Sequence, residues 1–268
     1  TKRLEYLLTH YKKLNFSTYS IPILIRHFLN ATLPGNIGEI AKPYILKKYL
    51  NKSFFECLSI TVIERFFDLF IISLIIGLAL SFNVIGISFG YVISYFILFF
   101  SGLLFFVTIA KSKIFFKYFP FNFIKQLRIG AKNALKDKSQ VFKVLISTII
   151  LWLILVSADF FLFLSFDILG NILNLQNIIL LTGLTVLAQL IPSAPSSIGV
   201  FNYLIIEALE FFFKLNNIEF DEILKAQLVA ISFIVLLISI LPDITLGFFI
   251  FLKESTLRIT DLKKYEKN

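Results

Sequence analysis

Long apolar stretches separated by short polar ones make up most of this chain. Four of them are long enough to cross a bilayer, because about 20 helical residues span a hydrocarbon core of about 30 Å. Runs of this length are typical of membrane helices and exceed the length of strands. The pattern predicts an all-α, polytopic membrane helix bundle with a single transmembrane domain over 1–268. The predicted spans are about 57–80, 87–110, 141–165 and 223–251.

Four shorter apolar stretches occur as two pairs, and proline and glycine interrupt each pair. Each stretch is marginal or too short to cross a bilayer. Because proline ends a helix and glycine permits a turn, each pair is predicted to form a re-entrant hairpin of two broken helices. The first hairpin lies at about 21–50 around Pro34-Gly35, and the second at about 176–213 around Pro192, Pro195 and Gly199.

The placement of lysine and arginine predicts how these elements are oriented. Loop 111–140 carries eight basic residues and one acid. Basic loops stay cytoplasmic, so this loop and the C-terminus are predicted to lie there. The first hairpin then opens from the cytoplasm and the second from outside, which is the pattern of an inverted repeat around a substrate site near the midplane. Two unrelated kinked helices in a structural bundle are the alternative.

Part of the basic loop has the pattern of a surface helix. Over residues 123–136 the apolar positions share one arc of a helical wheel, and a stripe of lysine and arginine adjoins it. This favours an interfacial helix lying on anionic lipid, and a solvated basic loop is the alternative.

Composition excludes a soluble catalytic domain. Hydrophobic residues make up 57% of the chain and charged residues 16%, and the mean hydropathy is +0.85. The net charge of +9 sits between apolar segments, which favours anionic lipid head groups over nucleic acid. Single Cys57 forms no internal disulfide, and two scattered histidines give no metal-ligand spacing, so no metal or cofactor is expected. The chain lacks methionine and is expected to be a fragment without its N-terminus.

Three charges in the middle third of the first predicted span give the strongest chemical signal. Glu64, Arg65 and Asp68 fall within one arc of a helix. A lone charge at the bilayer centre costs about 2.5–3.5 kcal/mol, so these side chains should be paired and turned inward. Arg65 can reach Asp68 at i+3, which leaves one carboxylate for another helix or a ligand. An ion-pair lock and a functional site are both compatible with this pattern.

The two breaks carry further polar residues. Glu39 and Lys42 follow the first break, where Glu39 is either a helix cap or part of a site for an anionic head group at a helix N-terminus. Serines follow the second break and are common helix caps, and no Ser-His-Asp arrangement is supported. Other intramembrane polar residues are expected to be helix-joining hydrogen-bond groups or site residues. They are Asp159, which is preferred as a site residue, Gln189, Glu207 and Asp243.

These residues resemble the motifs of a known family, the lysylphosphatidylglycerol synthase transmembrane-region family of flippase-like membrane proteins. The resemblance covers nearly the whole chain, and the family's third motif is matched more weakly than the other two. The matching residues are Asn30, Leu33-Pro34-Gly35, Gly38-Glu39, Lys42, Glu64-Arg65 and Asp68, then Pro192, Pro195 and Gly199.

The chain departs from the family pattern at the second break. Ser196 and Ser197 stand where the family usually has Gly-Gly, and Asn202 stands where it usually has Glu. If that Glu binds a head group or carries a proton, the departure changes substrate or activity. The resemblance implies lipid movement between leaflets. In the aminoacyl-lipid synthases such a region accompanies a soluble transferase domain that this chain does not contain, and some archaeal relatives are linked to isoprenoid-linked sugars.

The expected function is therefore that of a multi-pass cell-membrane protein that moves lipid. The head group is expected near Glu39, Lys42, Arg65 and Asp68, with arginine and lysine attracting phosphate. Expected partners are membrane phospholipids or lipid-linked intermediates, mainly anionic ones, and no nucleic acid. The sequence is also compatible with a homo-oligomer. Two rivals remain: a membrane-embedded transferase acting on a lipid carrier, and a structural subunit whose polar residues only hold helices together.

Overall fold

Helices form the described part of the structure, which is a computed structural model of the chain. The described residues are 1–11, 15–81, 90, 93–97, 100–101, 122–191, 193–218 and 221–265. The predicted span 87–110 and the first part of the basic loop fall largely outside them. The helices in chain order are α1 (Lys2–Leu7), α2 (Phe16–Thr32), α3 (Gly38–Leu50), α4 (Phe54–Ser81), α5 (Asn122–Ala134), α6 (Lys138–Leu164), α7 (Leu175–Leu190), α8 (Val200–Leu215) and α9 (Glu222–Tyr265).

Two described helices are long and apolar enough to cross a membrane. They are α6 and the Glu222–Lys253 part of α9, each with a mean hydropathy of 2.4. Only 22% and 33% of their apolar stretches are buried inside the protein, so most of their large side chains face outward. Outward-facing Ile and Leu over this length suit a lipid environment.

Helix α4 is also long, at 28 residues, but it carries charge in its middle. Glu64, Arg65 and Asp68 fall inside every 18-residue stretch of it. All three sit among packed helices, because α4 contacts α3, α5, α6 and α7. The burial of Glu64 and Asp68 and the packing around Arg65 reduce the costly exposure of charge to lipid.

Both predicted breaks interrupt the helices. Helix α2 ends at Thr32 and α3 begins at Gly38, with Gly35 and Asn36 at positive φ between them. Helix α7 ends at Leu190 and α8 begins at Val200. The described residues between them include a 3-10 turn, Pro195–Ser197. Each pair packs side by side as a helical hairpin.

The two hairpins pack in matching ways. The second helix of each hairpin packs on the long helix that follows it, α3 on α4 and α8 on α9. The first helix of each packs on the long helix of the other half, α2 on α9 and α7 on α4. The two halves therefore exchange equivalent contacts.

The tips of the two hairpins touch. The Gly35 amide donates to the Ser193 carbonyl oxygen at 2.9 Å. The Asn36 side chain donates to the Gln189 carbonyl oxygen at 2.8 Å, and Ser196 Oγ donates to the Ala31 carbonyl oxygen at 2.9 Å. The interrupted backbone thus satisfies part of its hydrogen bonding across the junction, which irregular backbone shielded from water requires.

Two apolar clusters form the core on either side of this junction. One joins α7 and α8 to the first half of α9. The other joins α1, α3 and α4 to α5 and α6. Helix α5 falls where the surface helix was expected. One side of it packs on α4: Ala134 is 2% exposed, and Gly130 lies against Glu56 and Ser59. Ile129 and Leu135 remain exposed.

Candidate functional site

The innermost part of the site is a group of four charged side chains from three helices. Lys42 of α3 pairs with Glu64 of α4, and each side chain is 3% exposed. Arg3 of α1 pairs with Asp68 through both guanidinium nitrogens, one of them at 3.2 Å, and its Nε lies 3.7 Å from Glu64. Two cations thus balance two carboxylates, as burial demands, since an unpaired buried charge is strongly destabilising.

Arg65 connects this buried group to a more exposed one. Its Nη1 lies 3.2 Å from Asp68, so the pair predicted at i+3 is confirmed. Its Nη2 and Nε lie 3.2 Å and 3.4 Å from the two Glu39 oxygens. The Arg65 side chain is 34% exposed, whereas those of Glu64 and Asp68 are 3% and 9% exposed. Arg65 is also more exposed than the other three cations in these contacts, Arg3, Arg26 and Lys42, which are 14%, 10% and 3% exposed.

Glu39 lies between two guanidinium groups. Besides Arg65, its Oε1 accepts a hydrogen bond from Arg26 Nη1 of α2 at 3.0 Å and a longer one from Asn30 at 3.4 Å. Glu39 is in the first turn of α3, whose N-cap residue, Ile37, makes no side-chain cap bond. The contacts of the Glu39 carboxylate are thus with Arg26, Arg65 and Asn30, which makes it an ion-pair partner. The head-group site at this position stays a prediction.

Gly38 explains how α3 comes so close to α2. Its amide donates to Asn30 Oδ1 at 2.8 Å. A Cβ at Gly38 would collide with the backbone oxygen of Arg26 and come within 2.5 Å of Asn30 Oδ1. The absence of a side chain thus lets Glu39 reach Arg26.

The network ends on α9. His27 Nε2 lies 2.6 Å from Arg26 Nη2, and His27 Nδ1 lies 3.2 Å from Asp243 Oδ2. A guanidinium can only donate, so Nε2 must accept a hydrogen bond, and Nδ1 must carry the hydrogen and donate a hydrogen bond to Asp243. His27 is therefore neutral in this arrangement, and the first hairpin is joined to the last helix.

Charge is balanced across the whole network. It holds four cations and four carboxylates: Glu39, Glu64 and Asp68 contact cations directly, and Asp243 contacts the neutral His27. Among the described residues no group of three or more His, Cys, Asp and Glu is arranged to hold a metal ion. The cations are Arg3, Arg26, Lys42 and Arg65, and the carboxylates are Glu39, Glu64, Asp68 and Asp243.

Several residues of the predicted site lie apart from this network. Asp159 accepts a hydrogen bond from Thr182 at 2.7 Å and joins α6 to α7. Asn202 accepts from the Gly199 amide at 3.1 Å and donates to Ser232 of α9 at 3.0 Å. The remaining ones shape the breaks: Pro34 and Gly35 in the first and Pro195 in the second, with Pro192 outside the described residues.

Three members of the network were not predicted from the sequence. Arg26 and His27 lie in the stretch 21–33, which was treated as apolar because most of its residues are hydrophobic. Arg3 lies in a short helix that precedes this stretch. The cost of an unpaired arginine in an apolar stretch is a signal that could have identified Arg26. Sequence spacing gives no comparable signal for Arg3.

An apolar groove lies farther along α4. It has a volume of about 390 Å³ and opens between α4, α7 and α8. Its lining includes Ile76, Leu184 and Phe211, and Glu207 contributes the one carboxylate of the lining.

Comparison with known proteins agrees with a membrane protein. No solved structure matches the chain significantly. A UPF0104 membrane protein of Methanocaldococcus jannaschii is 32% identical over 215 residues, which covers 72% of this chain and 82% of that protein. Residues 1–247 match the family described as lysylphosphatidylglycerol synthase TM region. The chain therefore belongs to the lysylphosphatidylglycerol synthase transmembrane-region family of membrane proteins.

Proposed function

We propose that this protein binds lipids by their head groups and moves them across the bilayer. The observation that carries the proposal is a network of eight charges that runs from a buried end at Lys42 and Glu64 to an exposed end at Glu39 and Arg65. Charges this numerous are expensive in a membrane helix bundle. A purely structural pairing has no need of an exposed end, whereas a head-group site does.

The arrangement of the helices supports a transport pathway. The contacts among α2, α3 and α4 match those among α7, α8 and α9, which supports the proposal that the two halves form an inverted repeat. In transporters, broken helices of such repeats meet at the substrate site near the midplane. We infer that the touching hairpin tips mark that level, with the first hairpin entering from the cytoplasmic leaflet and the second from the outer one.

The apolar groove supports a lipid as the substrate. Ile76 follows Arg65 by eleven residues, close to three helical turns, so both lie on the same face of α4 about 16 Å apart. If the head group of a lipid binds at Arg65, its acyl chain can therefore extend along that face of α4 to the groove.

Lipid scrambling in reconstituted liposomes tests the proposal. Fluorescent phospholipid in the inner leaflet becomes accessible to an impermeant quencher only when it crosses the bilayer. We expect wild-type protein to move it and Arg65→Gln to slow it at least about tenfold, because one charged contact to phosphate is lost.

A matched control uses a second cation in an ion pair. Lys214 lies 2.6 Å from Glu210 on α8 and is 64% exposed, so Lys214→Gln should leave scrambling unchanged. Equal scrambling by wild type and Arg65→Gln would remove Arg65 from the site. Unfolding at lower temperature with unchanged scrambling would favour the structural-subunit alternative.

A further inference from the structure

Glu39 has the surroundings that a bound phosphate would have. Arg26 from α2 and Arg65 from α4 both direct guanidinium nitrogens at its carboxylate, at 3.0 Å and 3.2 Å from Oε1, and Asn30 adds an amide donor. Guanidinium groups bind carboxylate and phosphate with the same donor geometry. The site therefore already holds an anion, which is supplied by the chain itself.

Charge balance restricts how an anionic ligand could enter. With four cations and four carboxylates, an added phosphate would leave the network with excess negative charge at low dielectric, which is costly. A carboxylate must withdraw or be protonated for an anion to bind. Glu39 is 31% exposed, whereas Glu64 and Asp68 are 3% and 9% exposed. Asp243 is 38% exposed, but it contacts His27 and not an arginine. Among the carboxylates that contact arginine, Glu39 can therefore return to a wetter environment at the lowest cost.

The cations of the network also differ in exposure and in the hydrogen-bond donors that are available to a ligand. Lys42 is 3% exposed and locked on Glu64, so it is poorly placed to bind a head group despite its position one turn after Glu39. Arg26 Nε is buried and has no hydrogen-bond acceptor among the described residues. Arg26 therefore retains an unused donor beside the Glu39 carboxylate.

We propose that Glu39 is an internal competitor for the head-group site, and that the phosphate of an anionic lipid displaces it from Arg26 and Arg65. The identification of the ligand as a lipid rests on the proposed function; the competition itself rests on the contacts of Glu39. Arg26 then becomes a ligand-binding residue and Lys42 a structural one.

Binding to purified protein in detergent tests this competition without any transport step. Native mass spectrometry would measure retention of phosphatidylglycerol and of phosphatidylcholine by wild type, Glu39→Gln and Arg26→Gln. Glutamine matches glutamate in shape and still accepts a hydrogen bond. We expect Glu39→Gln to bind phosphatidylglycerol about tenfold more tightly and Arg26→Gln about tenfold more weakly than wild type.

Two comparisons make the result specific. Phosphatidylcholine should gain less from Glu39→Gln, because its cationic choline loses an attractive carboxylate. Glu210→Gln, which removes a carboxylate paired with Lys214 outside the network, should leave both lipids unaffected. Glu39→Asp, whose carboxylate is withdrawn by one methylene, should shift binding in the same direction as Glu39→Gln and serves if the latter fails to fold.

Unchanged or weaker phosphatidylglycerol binding by Glu39→Gln and Glu39→Asp would overturn the competition. If inorganic phosphate at equal concentration displaces the lipid from Glu39→Gln, the site takes a free anion and the lipid assignment is wrong. If Glu39→Gln binds more tightly but wild type scrambles nothing, the proposed function fails while this inference stands. If wild type scrambles and Glu39→Gln binds no more tightly, only the inference fails.

Discussion

Replacing Lys42 separates the structural part of the charge network from its ligand-binding part. Lys42→Met keeps an unbranched side chain of similar length but leaves Glu64 buried, with Arg3 Nε at 3.7 Å as its remaining ion-pair contact among the described residues. Both members of the Lys42–Glu64 pair are 3% exposed. Breaking one side of such a pair costs about 3–5 kcal/mol, because the remaining charge stays buried without its partner.

Removing both partners should cost much less. In Lys42→Met with Glu64→Leu no orphan charge remains at this position, and Arg3 keeps its contacts with Asp68. Apolar replacements of a buried pair are often neutral, so the double variant should lose less than about 2 kcal/mol. The sum of the two single losses in free energy of unfolding should therefore exceed the loss in the double variant. The difference between that sum and the double loss is the coupling energy of the pair.

Denaturant unfolding in mixed micelles measures these free energies. Trp152, the chain's single tryptophan, is 4% exposed beside Ile71 and Ile72 of α4, so its fluorescence reports loss of α4–α6 packing. The same two substitutions at the exposed pair, Lys214→Met with Glu210→Leu, should cost less than about 1 kcal/mol. A Lys42→Met loss no larger than this control, or a double loss equal to the sum of the singles, would refute the assignment of Lys42 as a buried lock.

Further predictions concern the two breaks. Gly38→Ala should lower the free energy of unfolding by about 1–3 kcal/mol, because its Cβ would overlap the backbone of α2. It should also lower phosphatidylglycerol binding. Normal binding together with normal stability would contradict the close approach of α3 to α2. Ser197→Gly should raise the free energy of unfolding by less than about 1 kcal/mol. Ser197 has φ 54°, so glycine relieves the left-handed strain, but glycine also adds entropy to the unfolded state and offsets part of that gain. A lower unfolding midpoint would contradict this. Asn202→Ala should cost about 1–3 kcal/mol in Trp152-monitored unfolding, because it removes the contacts with the Gly199 amide and with Ser232; an unchanged midpoint would show that these bonds contribute nothing.

The sequence was informative wherever local chemistry decides the structure. Proline and glycine located both helix breaks, because their backbone limits act within a few residues. The i+3 spacing predicted the Arg65–Asp68 pair, because helical geometry fixes which neighbours meet. The cost of buried charge predicted that the carboxylate left over from this pair would need another helix or a ligand as its partner, and Glu64 pairs with Lys42 of another helix.

The identity of that partner could not be predicted. Lys42 pairs with Glu64 across 22 positions, and Arg3 reaches Asp68 across 65. Such pairs depend on how α1, α3 and α4 pack, and no periodicity in the sequence encodes that packing. For the same reason the spacing could not show that Lys42 is buried while Arg65, on the next helix, remains reachable.

The departures from the family pattern bear on which half of the protein selects the ligand. At the second break Ser196 and Ser197 both have positive φ. This left-handed conformation is the one in which glycine carries no steric penalty. Asn202, in place of the usual Glu, caps α8 and bonds Ser232 without adding charge.

The second half therefore contributes geometry while the first contributes charge. Every ion pair of the network, apart from the Asp243 contact, is made by residues of α1 to α4. If the usual Glu were present at position 202, the charge balance would need an additional cation near Ser232. Asn202→Glu tests this: the new carboxylate would sit at a position 5% exposed, and without a cation it should destabilise α8 against α9 more than Asn202→Ala does. Tolerance of Asn202→Glu would mean that a cation reaches this position and that head-group selection involves both halves.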